Sequence, residues 1–329
     1  MKRLTFIVLI AVLSMSCKED KKQTQLVKLS GPVFGTGFNV QYSHDNNTNY
    51  INQIDSLFAV VNQSMSTYIP DSDISRINRN EEVKVDKHFK HVFKASKDIY
   101  RATEGVFDPT IGNVVNAWNF GAETNKFLTD STTIDSLMQY VGLNRIGLLD
   151  GKIKKPASSY LEFNAIAKGY GVDVIAEFLE TKDVVNYLVE IGGEIRVKGD
   201  NIEKKSPWKV GLDEPRFDGQ QSVFKAIVLK DEAMATSGTY RKFKTDENGN
   251  RYAHIINTKT GYPTKTNVLS VSVIAPNCMM ADAYATAFQA MGIERVTEFL
   301  KTHPELKAYF IYENENKELS TLNLNNFPE

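Results

Sequence analysis

The chain has 329 residues, 42% hydrophobic and 24% charged, enough apolar material for a sizeable core without disulfide support. Lysine and arginine number 39 against 40 aspartates and glutamates, a formal net charge of −1. No basic stripe points to nucleic acid as a partner.

At the N-terminus, Lys2 and Arg3 precede the apolar run Leu4–Leu13, and small residues then lead to Cys17. A basic start, a short apolar core and a small-residue cleavage region make a secretory signal peptide over residues 1–16, too short to span a bilayer. Losing Lys2 and Arg3 with it removes two positive charges and takes −1 to −3. LSMSC, ending at Cys17, resembles the lipobox of bacterial lipoproteins, with Ser14 where a leucine is commoner. That resemblance implies Cys17 as the lipidated first residue of the mature chain; the alternative is a soluble secreted protein. KEDKKQTQ is charged, polar and free of aromatics, so residues 17–27 are expected to form a lipidated cysteine and flexible tether. Cys278 is the other of two cysteines, so the mature domain forms no internal disulfide.

Residues 28–329 hold no internal repeat or low-complexity linker and are expected to form one catalytic unit. Strand patterns occur at Phe38–Tyr42, Tyr187–Ile191, Glu194–Lys198, Phe224–Leu229, Leu269–Ile274 and Ala308–Tyr312. Helical patterns occur at Asn49–Asn62, Lys87–Thr103, Thr133–Val141, Ile166–Glu180, Met279–Met291 and Ile293–Thr302. Without a strict βαβ rhythm, this mixture predicts an α+β fold of mixed sheets and packed helices, compatible with two lobes around a cleft. The polar stretch 200–220 reads as a lobe boundary or a long loop.

Chemistry-bearing stretches follow in chain order. NQSMSTYIPDSDISRIN places Tyr68 before a proline turn as a partly exposed aromatic. TEGVFDPTIGNVVNAWNFG sets Asp108 before Pro109, a pattern that also fits a capped turn with Trp118 and Phe120 as core. In YLEFNAIAKGYGVDVIAEFLE, Leu161 and Phe163 alternate with Glu162 and Asn164 as in a half-buried strand, and a helix starts near Ile166. Lys168 in its first turn opposes the helix dipole, which is costly unless an anion such as phosphate lies there or the lysine is solvated. Gly169 and Gly171 each weaken the helix by roughly 1 kcal/mol relative to alanine, which points to close approach by another segment or a ligand. EIGGEIRVKG reads as two scaffold strands around a Gly-Gly turn. ATSGTYRKF reads as a flexible turn with hydroxyls and amides suited to a diphosphate, although it is not a P-loop. YAHIINTKTGYP is a hairpin signal carrying His254, one of five histidines, structural or catalytic. NCMMADAYATAFQAMG is an apolar helix with Asp282 in its expected first turn and Thr286 one turn later. Those two offset the dipole and bond back to a carbonyl, or form a pair of oxygen donors.

Taken together, GTGF, MSTYIPDSDISRIN, GVFDPTIG, FNAIAKGYGVD, VEIGGEIRVKG, ATSGTYRKF, HIINTKTGYP and ADAYATA run in order between Phe34 and Gly292. This series resembles the ApbE family, the FAD:protein FMN transferases. The resemblance implies an α+β fold with FAD in a cleft, and magnesium-dependent transfer of FMN to a threonine or serine of an exported protein, with AMP leaving. It implies the Asp282 carboxylate, the Thr286 hydroxyl and the Ala165 carbonyl as metal ligands, three oxygens suited to a hard octahedral cation. Tyr68 would lie against the isoalloxazine with Phe34 near it, while Val106, Phe107, Asp108 and Glu162 would meet the adenosine end. Lys168 would serve the diphosphate, Ile256 would line the cleft, and His254 would take the proton of the incoming hydroxyl. The implied partners are FAD and a flavoprotein subunit of a membrane electron-transfer complex. The implied location is exported and lipid-anchored to a bacterial membrane, facing the periplasm or the cell surface. The chain departs from the family pattern with Phe34 for methionine, Glu162 for aspartate, Asn257-Thr258 for Asp-Pro, and Ala285 where some members carry a further carboxylate. The competing functions are an FAD pyrophosphatase, with water replacing the acceptor, and a flavin-binding lipoprotein without catalysis.

If Cys17 carries the anchor, Cys17→Ala releases the protein from membranes while its chemistry in solution persists. Membrane fractionation with intact-mass measurement checks this, and a soluble wild-type protein without lipid mass contradicts it.

Overall fold

In the computed structural model, which describes residues 25–44, 46–123, 128–240, 243–245 and 251–328, a tight hairpin opens the fold. β1 (Leu26–Val33) and β2 (Thr36–Ser43) pair antiparallel, with Val33 opposite Thr36. Their two-residue loop requires positive φ at both positions, and Phe34 and Gly35 adopt 49° and 75°. Along β2 the side chains alternate, burying Phe38, Val40 and Tyr42 on one face. The segment expected to be tether therefore ends earlier: Leu26 and Val27 already belong to β1. The leader, Cys17 and the tether up to residue 24 lie outside the described residues.

Helices α1 (Ile51–Met65), α2 (Asp73–Asn78), α3 (Lys87–Ala102), α4 (Gly112–Ala117) and α5 (Ser131–Met138) follow. A small ribbon, β3 (Gly147–Leu149) with β4 (Lys152–Lys154), precedes α6 (Ala167–Glu180). Next come β5 (Asn186–Ile191), β6 (Glu194–Lys198), β7 (Asp200–Asn201), β8 (Ser206–Asp213), β9 (Val223–Leu229) and β10 (Ala233–Gly238). The ribbon β11 (Phe243–Thr245) with β12 (Arg251–Ala253) leads to β13 (Val268–Ala275), α7 (Cys278–Met291), α8 (Ile293–Leu300), β14 (Lys307–Glu313) and β15 (Leu319–Leu324). No helix among the described residues is long and apolar enough to cross a membrane.

Eight strands form one sheet in the order β1-β2-β5-β6-β10-β13-β14-β15, every neighbouring pair antiparallel. The two ends of the described chain thus share a sheet, and the fold is α+β as the mixed patterns predict. Its two faces bury different partners. Tyr187, Val189 and Ile191 pack against Val172, Ile175 and Leu179 of α6. Leu188, Ile195 and Met234 point the other way, onto Trp208, Val210 and Ile227 of the three-stranded sheet β7-β8-β9. A satellite cluster joins Val114, Trp118, Phe120 and Ile134 to Ile256.

Three expectations change. The stretch 200–220 is neither a lobe boundary nor simply a long loop: it contains β7 and β8, and Trp208 and Val210 bury against the large sheet. Ala235–Gly238 is the end of an inner strand rather than a flexible turn, paired along Val273–Ser270 of β13. Leu161–Phe163 is not in a ladder. Asn78 takes the place of a neighbouring strand, its amide donating to the Leu161 carbonyl (2.8 Å) and accepting from the Leu161 N–H (2.8 Å).

Helices α6 and α7 are buried along most of their length. Ile166 offers α6 no side-chain cap; Asp282 Oδ2 from α7 accepts the Gly169 N–H instead, at 2.9 Å. Asp173 of α6 returns the contact, accepting from the Cys278 and Met279 amides at 3.0 and 2.8 Å. Asn277 also caps α7, so the helix starts at Cys278 and Asp282 lies just past its first turn. A Cβ at Gly169 would stand 2.2 Å from the Cys278 carbonyl oxygen and 2.8 Å from Asp282 Cβ.

Gly169→Ala therefore forces α6 and α7 apart and is expected to cost about 1–3 kcal/mol of stability. Gly147→Ala, with nothing within 4 Å of the added carbon, stays within about 0.5 kcal/mol of wild type. Parallel thermal melts compare the two.

Candidate functional site

A cavity of about 960 Å³ opens where the β1–β2 turn, the β5–β6 turn, the end of β10 and the start of α6 meet α7. Around it the fold places Phe34, Tyr68, Val106, Phe107, Asp108, Glu162, Ala165, Lys168, His254, Ile256, Asp282 and Thr286, every candidate within the described residues. They come from positions as far apart as 34 and 286, and antiparallel pairing within one sheet closes that distance.

Aromatic rings occupy two points on the wall. Phe34 packs edge-on to Phe58 at 5.5 Å, and its ring fills the space that a Cβ at Gly171 would need, 2.6 Å away. The glycines bracketing Tyr170 thus have separate causes, α7 at one and Phe34 at the other. Tyr68 is 59% exposed, leaving most of its ring available for stacking.

The charged floor consists of Lys168, Glu194 and Asp282. Lys168 pairs directly with Glu194 Oε1, and Asp282 Oδ1 lies 4.0 Å from its ammonium. The anion expected opposite this first-turn lysine is therefore supplied in part by the protein itself. Burial disfavours the ammonium, but Asp282 and Glu194 outweigh it and hold the Lys168 pKa up. Burial also pushes the Glu194 carboxyl upward; Lys168 pulls it back and Asp282 adds to the rise. Two buried carboxylates share one ammonium, and Glu194 Oε2 has no hydrogen-bond partner.

Among the described residues no group of three or more His, Cys, Asp and Glu side chains could hold a metal. A metal here would draw on one carboxylate, one hydroxyl and one backbone carbonyl. Asp282, Thr286 and Ala165 supply that set on the same cavity, beside the carboxylate excess. All-oxygen donors with surplus negative charge fit a hard divalent cation such as magnesium. Thr286 Oγ1 meets Ser237 Oγ of β10 at 3.3 Å, so its hydroxyl faces the sheet end.

Asp108 has a different fate. Its Oδ1 accepts from the Thr110 amide (2.8 Å) and hydroxyl (2.6 Å), and Oδ2 accepts from the Leu143 amide (3.3 Å). Burial raises its pKa against these bonds. Oδ1 closes the local turn and Oδ2 ties it to Leu143, while Asp108 also lines the cavity wall. Glu162 also lines the wall, with Oε2 accepting from Asn164 at 3.0 Å.

His254 stands edge-on to Phe120 at 6.4 Å. Its hairpin is fastened where the sequence departs from the family pattern: Thr258 Oγ1 donates to the Gly105 carbonyl at 2.6 Å, just before Val106. Trp118 Nε1 donates to the Gly261 carbonyl at 2.8 Å, and Gly261 N–H closes onto the Asn257 carbonyl at 2.8 Å.

Sequence reasoning missed Glu194, assigned to scaffold within EIGGEIRVKG, along with Glu190 and Gly193, whose amide donates to Glu190 at 2.7 Å. The available signal was a carboxylate directly after a Gly-Gly turn in a buried strand.

A model of the ApbE family matches residues 34–310. The FAD:protein FMN transferase of Haemophilus influenzae is 36% identical over 333 residues, covering 96% of this chain and 95% of its own. That of Vibrio cholerae is 37% identical over 284 residues, 84% of each chain. Among solved structures, the flavin transferase ApbE from Vibrio cholerae superposes with a TM-score of 0.82 at 33% identity, covering 92% of this chain and 98% of that one. The apo flavinyl transferase ApbE of Pseudomonas stutzeri gives 0.81 at 25% identity, covering 92% and 95%.

Thr258→Val deletes the hairpin's bond to Gly105 and is expected to cost about 0.5–1.5 kcal/mol. Hydrogen exchange of the Thr264 and Gly261 amides should speed up accordingly, and Thr258→Ser should restore protection.

Proposed function

The chain belongs to the ApbE family, and from that membership and the cavity we propose that it moves FMN from FAD to a threonine or serine hydroxyl of an exported protein, with magnesium bound and AMP released. The observation that carries this reading is the convergence of Asp282, Thr286, Ala165, Lys168 and His254 on a cavity that also holds Phe34 and Tyr68.

The roles follow from chemistry. An unassisted threonine is a poor nucleophile near neutral pH, and His254 takes its proton as the oxygen attacks. The acceptor oxygen bonds to the phosphorus of the FMN half, the bridging P–O bond breaks, and its electron pair leaves with AMP. Lys168 faces the diphosphate with its ammonium. Phe34 and Tyr68 offer aromatic faces to the isoalloxazine, while Val106, Phe107, Glu162 and Ile256 wall the rest of the substrate. Asp282, Thr286 and the Ala165 carbonyl would hold magnesium, which when bound polarises the phosphoryl group and offsets charge on the leaving AMP. Export by the leader and an anchor at Cys17 would keep the enzyme beside its acceptor, a flavoprotein subunit of a membrane electron-transfer complex.

Incubation with FAD, magnesium and a candidate acceptor, read by mass spectrometry, tests the proposal: the acceptor gains one FMN for each AMP released. AMP formed equally fast without acceptor marks a pyrophosphatase, and FAD bound without AMP marks a carrier.

Variants separate the roles. His254→Ala should leave FAD affinity within about tenfold while transfer falls roughly 10²–10⁴-fold. Asp282→Ala should abolish turnover, and Thr286→Val should raise the magnesium needed for half activity. Asp282 also caps α6, so its loss costs about 0.5–2 kcal/mol of stability and lowers the melting point as well. A variant that melts lower yet turns over normally would leave Asp282 with the cap alone.

A further inference from the structure

Lys168 faces two carboxylates and is paired closely with one. Its Nζ contacts Glu194 Oε1 directly, yet stands 4.0 Å from Asp282 Oδ1. The other oxygen of Asp282 is held by the Gly169 amide at 2.9 Å, which leaves Oδ1 turned toward the lysine. We infer that Glu194 is a positioning residue: it holds the Lys168 ammonium off Asp282 and so keeps Asp282 Oδ1 open to the magnesium ion. The inference rests on the metal site proposed above.

Reach alone does not keep Lys168 from Asp282. Its stem is flexible, and closing from 4.0 Å to an ordinary ion-pair distance of about 2.8 Å takes only a small rotation. Asp282 is 4% exposed, so attraction between the two charges is weakly screened. A direct Lys168–Asp282 pair would be neutral, and an arriving cation would have to break it.

Glu194 is built to prevent that. It begins β6 opposite Ile191, after a Gly192-Gly193 turn whose φ values are 61° and 103°. Glu190 fixes that turn by accepting from the Gly193 amide. A strand-borne carboxylate, 3% exposed, therefore sits at a set place, whereas the lysine can move. Its unpartnered Oε2 fits the same account, because a carboxylate there only for its own hydrogen bonding would be satisfied at both oxygens.

Calorimetric titration of Mg²⁺ into FAD-free mature protein tests this without relying on turnover. The set comprises wild type, Glu194→Gln, Lys168→Met and the double variant, each with a thermal melt. Glu194→Gln keeps the shape but releases the lysine, and should weaken Mg²⁺ binding by roughly 10–100-fold, the usual range for loss of a residue supporting a metal ligand. In the Lys168→Met background the same replacement should change affinity far less, because no ammonium remains to occupy Asp282. A purely structural role would not produce that dependence on background. The double variant replaces the buried pair with neutral groups of similar size and gives a folded reference. Wild-type affinity in Glu194→Gln, or equal weakening in both backgrounds, overturns the inference while sparing the metal site. Absence of Mg²⁺ binding in wild type and in Lys168→Met sinks the metal site, and the inference with it.

Discussion

Reciprocal capping of α6 and α7 is the constraint on which the site depends. Each helix begins with amides that need acceptors, and each receives a carboxylate from the other: Asp173 for α7, Asp282 for α6. The exchange works only because Gly169 lets the backbones nearly touch. Asp173 is itself held by Arg196 of β6 at 2.9 Å, and Arg196 reaches on to Glu180. The helix pair is thereby fastened to the sheet, and Ala165, Lys168, Asp282 and Thr286 are delivered to one place.

That delivery creates an electrostatic imbalance. Glu194 and Asp282 share one lysine within a buried floor, and burial raises the cost of every uncompensated charge. A stable fold with no further use for the site would have little reason to keep a second carboxylate there. The excess is what a cation and a diphosphate would resolve together, the first against the carboxylates and the second against Lys168. Asp108 makes the contrast clear: also buried, it meets three donors, from Thr110 and Leu143, in place of one shared ammonium.

The opposite wall is held by different forces. The hairpin carrying His254 and Ile256 is tied to the segment of residues 105–118 by Thr258 and Trp118, and its apolar side joins the satellite cluster. Asn257 and Thr258 hold this hairpin with hydrogen bonds, Thr258 to the Gly105 carbonyl and the Asn257 carbonyl to the Gly261 amide. A side chain on such a wall can differ in mobility from the floor, because side-chain bonds to a loop hold less firmly than a buried helix pair.

The sequence by itself determined the elements whose side chains repeat with a clear period: β2, β5, β13 and α3, α6, α7 all lie within a few residues of their expected bounds. It also singled out Asp282, Thr286, Lys168 and His254, which stand out from their own neighbours and all line the one cavity. Tertiary structure decided the rest. β8 does alternate, burying Trp208, Val210 and Leu212, but inside a polar stretch that reads as a loop, and β10 is a run of mostly small residues with no period; for both, sheet partners far along the chain select the conformation. Asn78 replaced a strand beside Leu161, and no local pattern announces a side chain acting as a ladder. Glu194 acquired its meaning only by meeting Lys168, and Asp282 became the cap of a helix 113 positions away, because contacts made across such separations leave no trace in local spacing.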